Sequence, residues 1–227
     1  MKYKYQMHMH SYPCSACAHS NISEMVHGLY EGGYSGGVIT NHFFGGNTGI
    51  DRKLPWESFI AAYTEDYLTG KREADKLGLD LLFGIEEGVG GAMEILPYGI
   101  TPEILLAHPE LRGAGIKVWS EVLRNENVLV IQAHPFRERN YIPVAGMLPE
   151  EYLDGFEVYN HCNTQKNNIE AREYADKKPG AYILTSGGDA HDPTVICCGG
   201  IETAARIQTE QELCNILKKG MYNLIEE

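Results

Sequence analysis

Residues able to hold a metal ion recur along this sequence where apolar runs stop. Tyr5-Gln6-Met7-His8-Met9-His10 is such a run, followed by a turn-like Ser11-Tyr12-Pro13, and it reads as a short strand ending at its second histidine. Strand side chains alternate between faces, so His8 and His10 project from one face, roughly 7 Å apart. Two neutral imidazoles at that separation can grip one metal ion. A His-x-His pair is also an ordinary polar strand face, so its meaning depends on its company. That company is His42, Glu86, His134 and the pair Asp189 with His191, each at the end of a further apolar run. Metal-type residues at five strand ends fit a polynuclear metal site better than scattered structural use.

These runs have to be positioned by something. A capping-box-like Asn21 with Glu24 opens a helix that closes at Gly32-Gly33, and residues 37–40 form a short buried strand before His42. An amphipathic helix is expected over 55–77, then a strand over 79–85 ending at Glu86, with 94–98 as a further short strand. Thr101-Pro102 caps a short helix through Leu106, and another helix covers 116–124. Strands are expected at 127–132, 155–159 and 182–185, with helices at 168–177 and 209–219 and a C-terminal segment at 221–225. Strands alternating with helices imply βαβ units around a mainly parallel sheet, and such folds place active sites at the strand ends. No repeat, linker or low-complexity tract divides residues 1–227, which read as a single domain.

Composition narrows the function classes. A formal charge of −12 argues against a partner with a long phosphate backbone, which needs a basic surface. No apolar run approaches a membrane span and the N-terminal segment lacks a secretory h-region, so a cytoplasmic setting and no membrane partner are expected. Six cysteines in a chain of 227 residues do not suggest a disulfide scaffold and are expected as free thiols.

In order, the motifs His8-Met9-His10, Thr40-Asn41-His42, Gly84-Ile85-Glu86, Ala133-His134-Pro135 and Gly188-Asp189-Ala190-His191 resemble those of the PHP family, the polymerase and histidinol phosphatase domains. The resemblance spans nearly the whole chain. It implies an α/β fold, a distorted (β/α)7 barrel with a trinuclear metal cluster at the C-terminal strand ends. It further implies that His8, His10, Glu86 and Asp189 hold one metal, that Glu86 bridges to a second bound by His134, and that His42 and His191 hold a third.

The chain departs from that pattern in three places. The first motif usually continues to an aspartate or histidine ligand, but here it reads Ser15-Ala16-Cys17-Ala18-His19, so Cys17 or His19 could substitute, or Cys17 is merely a buried thiol. A histidine shortly after the Gly-x-Glu motif is missing; Glu94 lies nearest to its place, while His108 reads as a helix-to-loop exit. The usual Thr-Asp-His is Thr40-Asn41-His42, which removes a carboxylate that would orient the ligand. Cys14 and Cys17 form a Cys-x-x-Cys with no second pair to complete a zinc site. Arg137, and less so Arg139, could clamp a phosphate, and Asn160 and His161 could line the pocket. The loops 43–54 and 138–148 would shape it.

The implied activity is that of a metal-dependent phosphoric ester hydrolase acting on a small phosphorylated metabolite or nucleotide. Divalent metals orient phosphoryl oxygens, neutralise charge and make hydroxide available near neutral pH. Glu86, Asp189 and Arg137 are the expected catalytic residues, with Mn, Fe or Zn at three sites, since mixed imidazole and carboxylate ligands suit each. The alternatives are exonuclease-like cleavage of short oligonucleotides, C–N bond hydrolysis, and a metal-binding regulatory domain without turnover.

Overall fold

The computed structural model describes residues 2–140, 142 and 145–226. In chain order its first elements are β1 (Tyr3–Met9), α1 (Ile22–Glu31), β2 (Gly36–Ile39), α2 (Trp56–Leu77) and β3 (Asp80–Phe83). A hairpin of β4 (Glu87–Gly90) and β5 (Met93–Tyr98) follows, then α3 (Pro102–Ala107), α4 (Ile116–Asn125) and β6 (Leu129–Gln132). The last part contains β7 (Gly155–Asn160), α5 (Gln165–Asp176), β8 (Ile183–Gly187), β9 (Gly200–Thr203), α6 (Glu210–Lys218) and β10 (Tyr222–Ile225).

The strands form two five-stranded sheets, β10-β9-β1-β2-β3 and β4-β5-β6-β7-β8. The triplets β1-β2-β3 and β6-β7-β8 are parallel. A parallel bridge between Met9 and Ala190 joins the sheets at the top of β1, while β9 pairs antiparallel with its lower half from Tyr3 to Tyr5. Across that bridge the strands run β3-β2-β1-β8-β7-β6-β5, and no ladder closes β3 onto β5 among the described residues. This is the α/β, distorted barrel-like fold that was expected, left open on one side.

The expectation of a mainly parallel sheet needs correction. The β4-β5 hairpin runs antiparallel against β6, and β9 and β10 pair antiparallel below the site. The β4 strand is masked in the sequence by Gly88, Gly90 and Gly91, a composition that reads as loop. Its turn uses left-handed backbone at Gly90, Gly91 and Ala92.

Helix boundaries follow their caps. Asn21 and Glu24 make the full capping box of α1, and Thr101 and Thr209 cap α3 and α6. Thr164 accepts from Asn167 N, which starts α5 three residues before the expected Asn168. The long helix α2 packs an aromatic cluster beneath the β2 and β3 ends. Phe43 lies edge-on to Tyr63, Phe59 and Trp56, with ring centroids 5.0, 5.3 and 5.7 Å apart. Tyr63 also donates its hydroxyl to Asn41 O at 2.6 Å. The residues on either side of His42 are thereby fixed in the core. No helix among the described residues is long and apolar enough to cross a membrane.

Candidate metal centre

Each candidate ligand is delivered by a strand end. His8 and the residue after β1, His10, share one face and are fully buried, while Met7 and Met9 fill apolar clusters on the other. A parallel bridge between His42 and Glu86, three residues beyond the Ile39–Phe83 pair, keeps the β2-β3 register and sets those side chains together. His134 follows β6. Because β5 runs antiparallel to β6, Glu94 near its start reaches the same end, and Ala133 N donates to Glu94 O at 3.0 Å. The Met9–Ala190 bridge carries Asp189 and His191 in from the end of β8.

The ligand atoms converge on Glu86. Its Oε1 lies 3.2 Å from His8 Nε2 and 3.0 Å from His134 Nε2, and its Oε2 lies 2.9 Å from His42 Nδ1 and 3.5 Å from His10 Nε2. Asp189 Oδ1 is 3.1 Å from His10 Nε2 and 3.5 Å from His8 Nε2. Glu94 stands 3.5 Å from both His134 Nε2 and His42 Nδ1. Donors about 2.0–2.2 Å from one ion are separated by ~3.0–3.5 Å along the edges of a tetrahedron or octahedron. The observed spacings therefore suit shared cations. Four overlapping groups could each hold one: His8/His10/Glu86, His8/His134/Asp189, His42/Glu86/Glu94 and His10/His42/His191. The groups open onto a cavity of about 450 Å³ lined also by Cys17, Asn47 and Arg137.

Hydrogen bonds aim the imidazoles. His8 Nδ1–H donates to Glu157 Oε1 at 2.9 Å and His191 Nδ1–H to Asp189 O at 2.8 Å, which leaves each Nε2 facing the cavity. His10 Nδ1–H donates to Ser15 Oγ at 3.0 Å; Ser15 donates onward to Asn41 Oδ1 at 2.9 Å, and Asn41 Nδ2 donates to Asp66 Oδ2 at 2.9 Å. A carboxylate from α2 thus reaches the His10 ring through the amide at position 41, while His42 gives only its backbone N to Ser15 Oγ. Gly187 allows the His8–Glu157 pair to form, since a Cβ there would fall 2.5 Å from Glu157 Oε1 and 2.6 Å from His8 Cβ.

The electrostatics call for positive charge. Burial opposes a charge on His8, yet Glu157, Asp189 and Glu86 outweigh it and hold the imidazole well above its ordinary range. Burial and the neighbouring His42 push His10 down to about 3. Against their burial, His8 and His42 hold Glu86, and Arg137 and His8 hold Asp189, well below the usual carboxylate range. Burial, together with the charge of Glu86, raises Glu94 to about 7. Burial would raise the Cys17 thiol, but hydrogen bonds with His191 and His42 bring it to about 6. His42 Nδ1 is buried without an aligned hydrogen bond despite its short contact to Glu86. An orphaned ring nitrogen among ionised carboxylates fits a divalent ion. The backbone is strained here as well: His134 and Asp189 adopt φ of 27° and 51°, a left-handed conformation costing about 1–3 kcal/mol per residue.

Of the residues expected from sequence, the fold gathers His8, His10, Cys17, His42, Glu86, Glu94, His134, Arg137, Asp189 and His191 around one cavity. His19 is not among them: its side chain is exposed and its backbone N donates to His191 O. Cys14 lies in the apolar core, apart from Cys17. Arg137 gives Nη2 to Asp189 at 2.6 Å and to Asn160, and Nε to Asn163, so it braces a candidate ligand while still facing the cavity. Arg139 is half-buried and bound to Cys162 O, and His161 lines a different cavity. Within the loop 138–148, Tyr141, Pro143 and Val144 lie outside the described residues. Glu157, Ser15 and Asp66 escaped sequence reasoning. Glu157 carries a readable signal, a charged residue inside the apolar run of β7 that must find a partner once buried.

No protein-family model matches the sequence, and no curated protein does. Solved structures do match. A two-domain protein from Bacteroides vulgatus, containing a predicted PHP-like metal-dependent phosphoesterase, aligns over 100% of this chain with a TM-score of 0.71 and 15% identity. The fold is PHP-like. The chain spans 65% of the length of that protein. PsfC from Pseudomonas syringae aligns with a TM-score of 0.64 and 16% identity, covering 94% of this chain and 88% of its own. An amidohydrolase from Chromobacterium violaceum, solved with bound sulfate and no metal, gives 0.59 and 13%, covering 94% and 96%. At these identities the PHP-like fold is what the proteins share.

Proposed function

We propose that residues 1–227 form a single PHP-like domain that hydrolyses a phosphate ester on a small metabolite or nucleotide with the help of bound divalent metals. The observation that carries this is the convergence of imidazole and carboxylate donors on Glu86 at coordination-edge spacings. His8, His10, Glu86 and Asp189 would hold one ion; Glu86, His134 and Glu94 a second; His42, His191 and Cys17 a third. Bound metals of the Mn, Fe or Zn type supply charge for the phosphoryl oxygens and hydroxide near neutral pH. The chain's own residues do the rest. Glu157 and the Ser15–Asn41–Asp66 relay hold the His8 and His10 rings in register. Arg137 keeps Asp189 ionised, which favours a ligand role over proton shuttling for that carboxylate, and adds positive charge at the cavity wall where a phosphoryl group would sit.

The charge of −12 favours small phosphorylated substrates or short oligonucleotides over long nucleic acid. Six cysteines that form no disulfide among the described residues accord with a reducing, cytoplasmic setting. Metal equivalents per chain, measured by mass spectrometry, and turnover on a panel of phosphomonoesters, dinucleotides and amides test the reading. Metal-dependent phosphomonoester hydrolysis is expected, and Glu86→Gln should abolish it and lower metal content. A fully metallated, active Glu86→Gln protein would overturn the bridging role. Turnover of amides alone would favour C–N hydrolysis, and metal binding with no turnover would favour a regulatory domain.

A further inference from the structure

The donors around the cavity are not chemically alike. Toward β5 and β6 they are Glu86, Glu94 and His134, with carboxylate oxygens in the majority. Toward the loop after β1 they are ring nitrogens and a sulfur. His10, His42 and His191 offer ring nitrogens within 4.8 Å of one another, and Cys17 Sγ lies 3.2 Å from His191 Nε2. Cys14, three residues earlier, shows the alternative fate of a thiol here: it is 1% exposed in the apolar core. Cys17 is instead turned to the cavity wall.

Two further observations mark this as a ligand position. His191 Nδ1–H is tied to Asp189 O at 2.8 Å, so the Nε2 lone pair is what faces the sulfur. His42 Nδ1 is turned to the carboxylate side, 2.9 Å from Glu86 Oε2 and 3.5 Å from Glu94 Oε1, which leaves Nε2 as the His42 nitrogen for this position. With Zn–S near 2.3 Å and Zn–N near 2.0–2.1 Å, adjacent sulfur and nitrogen ligands lie ~3.1–3.6 Å apart, which includes the observed spacing.

We propose that Cys17, His42 and His191 form a thiolate-containing position that selects zinc over manganese, beside carboxylate-rich positions that accept harder ions. The inference rests on the metallohydrolase reading above and adds that the cluster is built from unlike metals. Thiolate is a soft ligand that favours zinc, and manganese stands lowest among divalent first-row ions for a given set of donors. Loading forms Zn–S and Zn–N bonds to Cys17 and His191 and releases to solvent the proton that this hydrogen-bonded pair shares.

Cobalt(II) is the probe, because it takes zinc positions and a thiolate bound to it gives a charge-transfer band in the near ultraviolet. The full chain, stripped with a chelator and reloaded with cobalt, should show that band, and both Cys17→Ser and Cys17→Asp should lose it. Dialysed against excess manganese with limiting zinc, the unmodified protein should retain about one zinc per chain, and Cys17→Asp should lose that preference while still binding manganese. Cobalt bound without a thiolate band, a band that survives in both variants, or an unchanged zinc preference overturns this proposal and leaves the metallohydrolase reading standing. No metal bound under any condition overturns both. Absence of the band in the unmodified protein overturns the proposal even where a variant fails to fold.

Discussion

His8 and His10 share one strand face, yet their rings are braced from different parts of the molecule by different means. His8 meets the carboxylate of Glu157 directly, from β7 in the second sheet. His10 reaches a carboxylate only through Ser15 and Asn41, ending at Asp66 on α2. Both arrangements fix the tautomer that leaves Nε2 for a metal. Only the first also places a negative charge against the ring. The two imidazoles diverge accordingly: His8 is held well above its ordinary range against its burial, whereas burial and the nearby His42 take His10 down to about 3. Orientation and basicity are thus separate properties, and this site sets them separately.

Breaking the direct brace should have the larger effect. Glu157→Gln is expected to weaken metal binding by about 10–100-fold, read by competition with a chromophoric chelator; unchanged affinity would show that Glu157 merely fills space. Gly187→Ala acts on the same brace sterically, because the added carbon collides with Glu157 Oε1 and His8 Cβ. It should lower metal affinity with the backbone fold retained by circular dichroism, and an unaffected variant would mean that the strand end shifts freely.

The relay offers a sharper test with a smaller expected effect. Asn41→Asp sets a second carboxylate against Asp66, where the amide now donates at 2.9 Å, and should weaken metal binding. Asp66→Asn in that background restores a donor facing an acceptor, with a coupling of about 0.5–3 kcal/mol in a double-mutant cycle. Additive effects would break the relay.

The mildest probe is pH. With no metal bound, His8 and His42 are held well above the ordinary imidazole range and carry protons at neutrality, against their burial, through Glu157 and Glu86. Metal ligation needs neutral rings, so binding expels protons and affinity should rise as pH rises through the neutral range. Calorimetry in buffers of different ionisation enthalpy would read the released protons, and none released would contradict the assignment.

The sequence made the candidate ligands legible because they stand where apolar runs end, and a period of two sets His8 and His10 on one face. The caps at Asn21 and Thr101 likewise marked α1 and α3. Glu94 was visible as a candidate, although its reason, the antiparallel β5 returning to the top of β6, was not. The supports were hidden for a physical cause. Glu157 pairs with His8 across 149 positions and Asp66 with Asn41 across 25, and no local periodicity encodes which distant side chain will fill a given hydrogen-bonding vacancy. The hairpin strand β4 was lost for the opposite reason, since its glycines remove the local signal while tertiary pairing supplies the structure.

The seam at the top of β1 also orders events in time. Gln6 accepts from Gly188 N across 182 positions, and the Met9–Ala190 bridge lies directly above it. During synthesis His8 and His10 emerge well before Asp189, His191 and the strand that brings them. Contacts so distant in the chain form slowly and only after the intervening strands have paired. A partly made chain therefore presents those histidines without Asp189, and the full set of donors assembles only when the end of β8 docks beside β1.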